Sequence, residues 1–255
     1  MRTANPTLNA NTFQRIDRRP GQNQMTISGA VNKTGALLIL LVASSAITWN
    51  MIATGTISPM VCTVGGLIGG LILAIITCFK KTWAPVTAPL YAIVEGLFVG
   101  GVSIFYATIA GPQGFGGTGG SIVMQAVVLT FGVLFTMLAA YRLGVIRATE
   151  KFKMGILAAT GGIMLFYLIA IILGFFGVNI PHLHQATPLG IGISVFIIII
   201  AALNLVLDFD LIENGAKQGA PKYMEWFCAF GLIVTLVWLY IEILRLLAML
   251  ASKRD

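Results

Sequence analysis

The sequence predicts an all-α integral membrane protein, a seven-transmembrane-helix bundle, and three observations predict it. Charged residues make up only 10% of the 255 and hydrophobic ones 57%, whereas a soluble domain carries about 25% charged residues to hold its surface in water. The apolar residues gather into seven runs, each long enough for a hydrocarbon core about 30 Å thick at about 1.5 Å of helical rise per residue. The basic residues stand between those runs and on alternate connections.

Taken in order, residues 1–24 are rich in Asn, Arg, Gln, Thr and Pro. They bury too little apolar surface to offset the entropy of ordering and read as a disordered cytoplasmic tail. The tail holds no apolar core, and no small-residue cleavage site follows the first run, which argues against a signal peptide. Residues 25–33 are expected at the membrane surface. The apolar runs follow at 35–53, 60–79, 86–109, 121–146, 154–178, 189–212 and 223–250, so one transmembrane domain covers 25–250 and a short C-terminal tail covers 251–255. Barrel strands would be about ten residues long with alternating polarity. These runs are neither, and lipid leaves the backbone no partner outside a helix.

The connections fix an orientation. Arg2, Arg15, Arg18, Arg19 and Lys33 precede the first run; Lys80 and Lys81 follow the second; Arg142, Arg147, Lys151 and Lys153 lie at or after the end of the fourth; Lys217 and Lys222 follow the sixth. Those are all but three of the 16 basic residues, and loops 54–59, 110–120 and 179–188 carry none. The excess of positive charge marks the cytoplasmic side, which is therefore the side of the N-terminus. Arg245, Lys253 and Arg254 disagree, since seven full spans put the C-terminus outside; a dipping last segment would return it. The length of 223–250 favours a full span. The net charge of +7 flanks apolar runs instead of forming one stripe, which excludes a nucleic-acid partner. Gly65 with Gly69, Gly66 with Gly70 and Gly96 with Gly100 predict sites of close helix packing.

Glu95 is the strongest chemical signal. It lies about 13 Å into the third run at helical rise, where a carboxyl group must face the protein interior or a wet cavity with a partner or a proton. An ion path and an interhelical hydrogen bond both fit that position. Asn204 and Asp208 are four apart and share a helix face, while Asp210 lies about 200° around from Asp208, so one Asp faces the protein and the other the cytoplasm. Glu213 reads as a hydrated helix end and Glu225 as a solvated group at the inner surface. Glu242 and Arg245, three apart, fit a local ion pair.

Other motifs carry no function. The glycine pattern at 114–119 lacks a preceding strand, and His182 and His184 form a lone pair in a loop. Asp208 and Asp210 share one helix, whereas an intramembrane Asp protease needs an Asp in each of two spans. Cys62, Cys78 and Cys228 show no metal-ligand spacing. No catalytic constellation and no cofactor site emerges, so the protein is not expected to be an enzyme.

Three segments carry a resemblance: 89–100 (Pro-Leu-Tyr-Ala-Ile-Val-Glu-Gly-Leu-Phe-Val-Gly), 207–215 (Leu-Asp-Phe-Asp-Leu-Ile-Glu-Asn-Gly), and 220–247, which opens Ala-Pro-Lys-Tyr-Met-Glu-Trp and closes Leu-Tyr-Ile-Glu-Ile-Leu-Arg-Leu-Leu. Together they resemble the bacterial branch of the transmembrane Bax inhibitor motif family, over roughly residues 25–250. The resemblance implies a seven-helix bundle with its last helix near the centre, in a bacterial inner (plasma) membrane. It also implies a calcium or cation leak controlled by a pH-sensitive carboxylate pair. Asp208 matches the family Asp of the sixth helix. On the seventh, aligning Leu-Arg-Leu-Leu selects Thr235, whereas matching Leu-Tyr-Ile-Glu selects Glu242. Glu242 lies about 25 Å along the helix from Glu225, a distance that favours Thr235, and Glu95 becomes the candidate second carboxylate. The expected path or gate is thus Glu95, Asp208, Asp210 and Thr235, with Asn204, Glu225, Glu242 and Arg245 as further candidates. The expected partners are membrane lipid and cations, calcium foremost. The alternative is a non-transporting regulator that binds another membrane protein, a protease or a stress-response partner.

Overall fold

The computed structural model describes residues 24–110, 118–176 and 187–251. It has seven helices long and apolar enough to cross a membrane: α1 (Ile27–Ala53), α2 (Pro59–Phe79), α3 (Ala84–Ala110), α4 (Thr118–Arg142), α5 (Glu150–Phe175), α6 (Pro188–Lys217) and α7 (Met224–Ala251). Among the described residues there is no strand, and the all-α membrane class read from the sequence is the one observed. The last helix is the most buried of the seven, and α4 and α5 are the least.

The helix ends follow local chemistry. Thr26 caps α1 by accepting a hydrogen bond from the Gly29 N–H, and Thr149 caps α5 by accepting from Phe152. Pro59 opens α2, where its missing N–H is no loss. Three boundaries differ from the sequence reading. The first helix starts at Ile27 instead of 35, so most of residues 25–33 is helical, and the charge of Lys33 is taken up by an ion pair with Glu225. The fourth span stops at Arg142 instead of 146, since Gly144 turns the chain through a positive φ of 72°. The sixth runs on to Lys217, its last turns held by pairs on its own surface, Asn214 to Asp210 at 2.8 Å and Lys217 to Glu213. The expected N-terminal tail up to residue 23, the glycine pattern at 114–119 as far as 117, His182, His184, Lys253 and Arg254 lie outside the described residues.

The chain divides into two compact units, Met1–Val102 with Asp208–Val234, and Ser103–Leu207 with Thr235–Asp255. The first holds α1, α2, most of α3, the end of α6 and α7 as far as Val234. Met25, Ala30, Ala84, Ile212, Met224, Phe227 and Cys228 cluster within it. The second unit is built from the remainder, with Ile163, Ile197 and Ile200 packed among Tyr167, Ile193 and Trp238.

Inside the first unit the paired glycines separate into those that pack and those that do not. A Cβ at Gly66 would come 2.5 Å from the Phe98 backbone nitrogen, and one at Gly100 would come 2.8 Å from the Ser45 carbonyl oxygen. At Gly96 it would meet the Ser44 side chain at 2.5 Å, beside the hydrogen bond that Ser44 Oγ donates to the Ile93 carbonyl at 2.7 Å. At Gly65 nothing lies within 4 Å. The α2–α3 and α1–α3 contacts therefore rest on Gly66, Gly70, Gly96 and Gly100, as small residues in lipid-embedded helices allow. Two neighbouring substitutions test this. Gly66→Leu drives a side chain into the α3 backbone and should lower stability by about 1–3 kcal/mol. Gly65→Leu points into open space and should stay within about 0.5 kcal/mol of the parent. Unfolding in detergent micelles measures both.

Candidate functional site

Buried polar groups in the first unit begin with a seam between α2 and α3. Thr87, Tyr91 and Glu95 recur every four residues on α3 and so share one face; all three are buried. The Thr77 hydroxyl of α2 donates to Thr87 Oγ1 at 2.8 Å. Tyr91 hydrogen-bonds the Glu95 carboxyl one turn further on, while its ring packs edge-on against Phe230 of α7 with centroids 4.9 Å apart. Gly70 of α2 lies so close to Glu95 Oε2 that a side chain there would displace the carboxyl. The depth argument had singled out Glu95, and the structure gives it a neutral partner within its own helix. Thr77, Thr87 and Tyr91 had been missed; the signal was the four-residue spacing that ends at Glu95.

Asp208 and Asp210 diverge as their helical spacing requires. Asp208 is turned to α7, where a Cβ on Gly231 would stand 3.8 Å from its Oδ1. It is also close enough to the buried Cys228 for its charge to act on the thiol. Asp210 instead accepts from Asn214 on the same helix. Thr235 is buried one turn beyond Gly231 on α7. In the second unit, Asn204 of α6 donates to Thr160 Oγ1 of α5 at 2.8 Å and to its own helix at the Ile200 carbonyl at 2.8 Å.

Glu225 overturns the expectation of a solvated group, being only 1% exposed. Its carboxylate accepts from the Thr26 backbone N–H at 2.9 Å, from Thr26 Oγ1 at 3.1 Å and from Lys33. The reason is that the chain entering α1 crosses the start of α7, the Met25 N–H bonding the Ala220 carbonyl at 2.7 Å. From sequence, Lys33 reads only as an orienting charge. Its distance of 192 residues from Glu225 left no local signal.

The second unit holds another closed network. Arg245 Nη2 lies 2.7 Å from Glu242 Oε2, the local ion pair expected from the three-residue spacing. The Tyr167 hydroxyl of α5 donates to Glu242 Oε1 at 2.7 Å and accepts from Arg245 Nη1 at 2.6 Å. Ser194 of α6 accepts from Arg245 Nη2 at 3.2 Å, and Trp238 adds a hydrogen bond to Glu242. Glu242 is thus already committed. Among the described residues no three His, Cys, Asp or Glu side chains group as a metal site.

Seven helices long and apolar enough to cross a membrane, with acidic, basic and hydroxyl side chains buried within each unit, are those of a multi-pass helical membrane protein. The sequence model of the family described as Bax inhibitor 1 like matches residues 5–252, and the chain belongs to that family. No curated protein matches the sequence.

The Glu242–Arg245 network makes a test of its own. Arg245→Met strips a buried carboxylate of its counter-charge and should cost about 3–5 kcal/mol. Adding Glu242→Gln removes the stranded charge and should restore most of that loss. Denaturant unfolding in micelles compares the three proteins.

Proposed function

We propose that the protein is a pH-sensitive cation leak channel, with calcium the favoured ion and Glu95 and Asp208 the acidic groups of its path and gate. It works without a bound cofactor and catalyses no reaction. The observation that carries this reading is a difference between buried acids. Glu225 and Glu242 each face a basic side chain; Glu95 is held by a neutral phenol at the end of a line of hydroxyls. Hard cations take oxygen ligands, and a permeating ion must bind weakly enough to leave. One carboxyl with hydroxyl neighbours suits transit. Asp208, beside Gly231 and Cys228 at the inner end of α6, suits a gate that cytoplasmic protons can reach. Membership of the Bax inhibitor 1 like family supports the reading. The one-sided loop charges support a cytoplasmic N-terminus in a bacterial inner membrane.

A second reading, a non-transporting regulator bound to another membrane protein, draws on α5. That helix is the least buried, and Gly155, Gly161 and Gly162 on it have nothing within 4 Å, a surface on which a partner helix can pack closely. Substitution of the acids separates the two readings, because it changes transport and leaves a surface contact intact.

The protein is reconstituted in liposomes and calcium, sodium and proton fluxes are compared. Glu95→Gln keeps shape and removes charge. It should keep expression and lower calcium flux at least about tenfold, a loss of about 1.4 kcal/mol in the path. Unchanged flux would leave Glu95 a packing residue. Asp208→Asn fixes a neutral side chain of similar size, so flux should lose most of its dependence on pH across about pH 5–8. A variant that titrates like the parent would move the gate elsewhere.

A further inference from the structure

We propose that residues 24–33 form a strap across the start of α7, and that the Lys33–Glu225 pair is the pin by which this strap positions the α7 segment facing Asp208. The role given to that segment rests on the channel reading of Asp208.

The strap is fastened at successive points. Gln24 and Pro221 form an antiparallel bridge. Met25 bonds Ala220 at 2.7 Å through its backbone and is 3% exposed, packed with Met224, Phe227 and Cys228. Thr26 then gives both its N–H and its hydroxyl to Glu225 while capping α1. Gly29 touches the same carboxylate so closely that a methyl group there would collide with it. Lys33, one turn further on α1, closes the site with its ammonium against Glu225 and 5.5 Å above the Trp226 ring. Its stem and the ring shield the pair from water.

The pin sits close to the candidate gate along α7. Cys228, three residues after Glu225, lies about 4.5 Å further up the helix and within electrostatic range of Asp208. Gly231, another three residues on, stands where an added Cβ would lie 3.8 Å from Asp208 Oδ1. Anchoring the first turn of α7 therefore sets the position of the turns against which Asp208 rests. Without the ammonium, Glu225 is a buried anion with two neutral donors, a state that drives the first turn or the strap outward to water. Lys33 is thus a positioning residue that acts through α7 and does not touch the ion.

Cys228, 2% exposed, is a built-in reporter once Cys62 and Cys78 are replaced by Ala. Maleimide labelling of Cys228 and calcium flux are measured on the full chain in the same liposomes. Lys33→Gln should speed labelling at least about tenfold, as a local opening does, and change the flux. Lys33→Arg, which keeps the charge, should stay near the parent. Gly29→Ala, which presses on the carboxylate and leaves Lys33 in place, should act like Lys33→Gln and covers the case in which that variant does not fold. Cross-linking the strap through Gln24→Cys and Pro221→Cys, whose thiols are consumed in the disulfide, should return labelling of Cys228 in the Lys33→Gln protein to the parent rate. Parent-like labelling in both Lys33→Gln and Gly29→Ala would overturn the pin. Faster labelling with unchanged flux in a parent that leaks would overturn its link to Asp208. A parent that does not leak would sink the channel reading, while Cys228 labelling still decides the pin.

Discussion

An ionised group carried into hydrocarbon costs several kcal/mol unless a partner travels with it, and the placement of helices in this protein follows from meeting that cost. Each buried acid with a basic partner recruits elements remote in sequence. The Lys33–Glu225 pair joins residues 192 apart, fastening the first helix to the start of the last. The Glu242–Arg245 pair draws in Tyr167 of α5 and Ser194 of α6. In both, the ions are surrounded by further donors and acceptors, the condition under which a buried pair is not a liability. Dispersion alone distinguishes poorly between one apolar helix face and another in lipid; these directional bonds specify which faces meet.

The α2–α3 seam uses the opposite device. Gly66 and Gly70 let α2 approach until the α3 backbone and the Glu95 carboxyl lie against it. The same approach brings Thr77 onto Thr87. A large residue at Gly70 would fill the space that the carboxyl occupies. The glycines thus serve packing and polarity together, and the carboxyl they shelter is bound to a phenol whose ring reaches Phe230 on α7.

Much of this was legible in the sequence because lipid makes simple demands. Run length and helical rise gave seven spans, and the depth of Glu95 marked it as enclosed. The spacing of Glu242 and Arg245 gave their pairing, and the angle between Asp208 and Asp210 gave their divergence. What stayed hidden depended on neighbours. Glu225 beside Lys222 reads as a solvated interfacial acid, because the strap that covers it arrives from the other end of the chain. Gly65 and Gly66 are equivalent in sequence, and only the approach of Phe98 separates the packing residue from the exposed one. The end of α6 was placed too early because Asp210, Glu213 and Lys217 look like water-seeking residues, although their i, i+4 partners keep them helical.

The distribution of charge along α7 bears on how a gate at Asp208 could work. A latch of two carboxylates opens by mutual repulsion once both ionise. Here the position that alignment matches to the second acid is Thr235, which carries no charge. Glu242, the other match, is held by Arg245, Tyr167 and Trp238. Glu95 takes its hydrogen bond from Tyr91 on its own helix. Of these three side chains, the two acids are already hydrogen-bonded and the third is neutral. Among the groups near Asp208 are Gly231, which has no side chain to hold the carboxyl off, and the Cys228 thiol. Ionised, such a carboxyl is a ligand for a passing cation. Protonated, it gives up that charge and gains a donor that can bond a neighbouring oxygen. On the channel reading, a gate of this kind would be governed by cation affinity and helix contact instead of repulsion, and the position of α7 against Asp208, which the proposed pin at its first turn sets, would tune it.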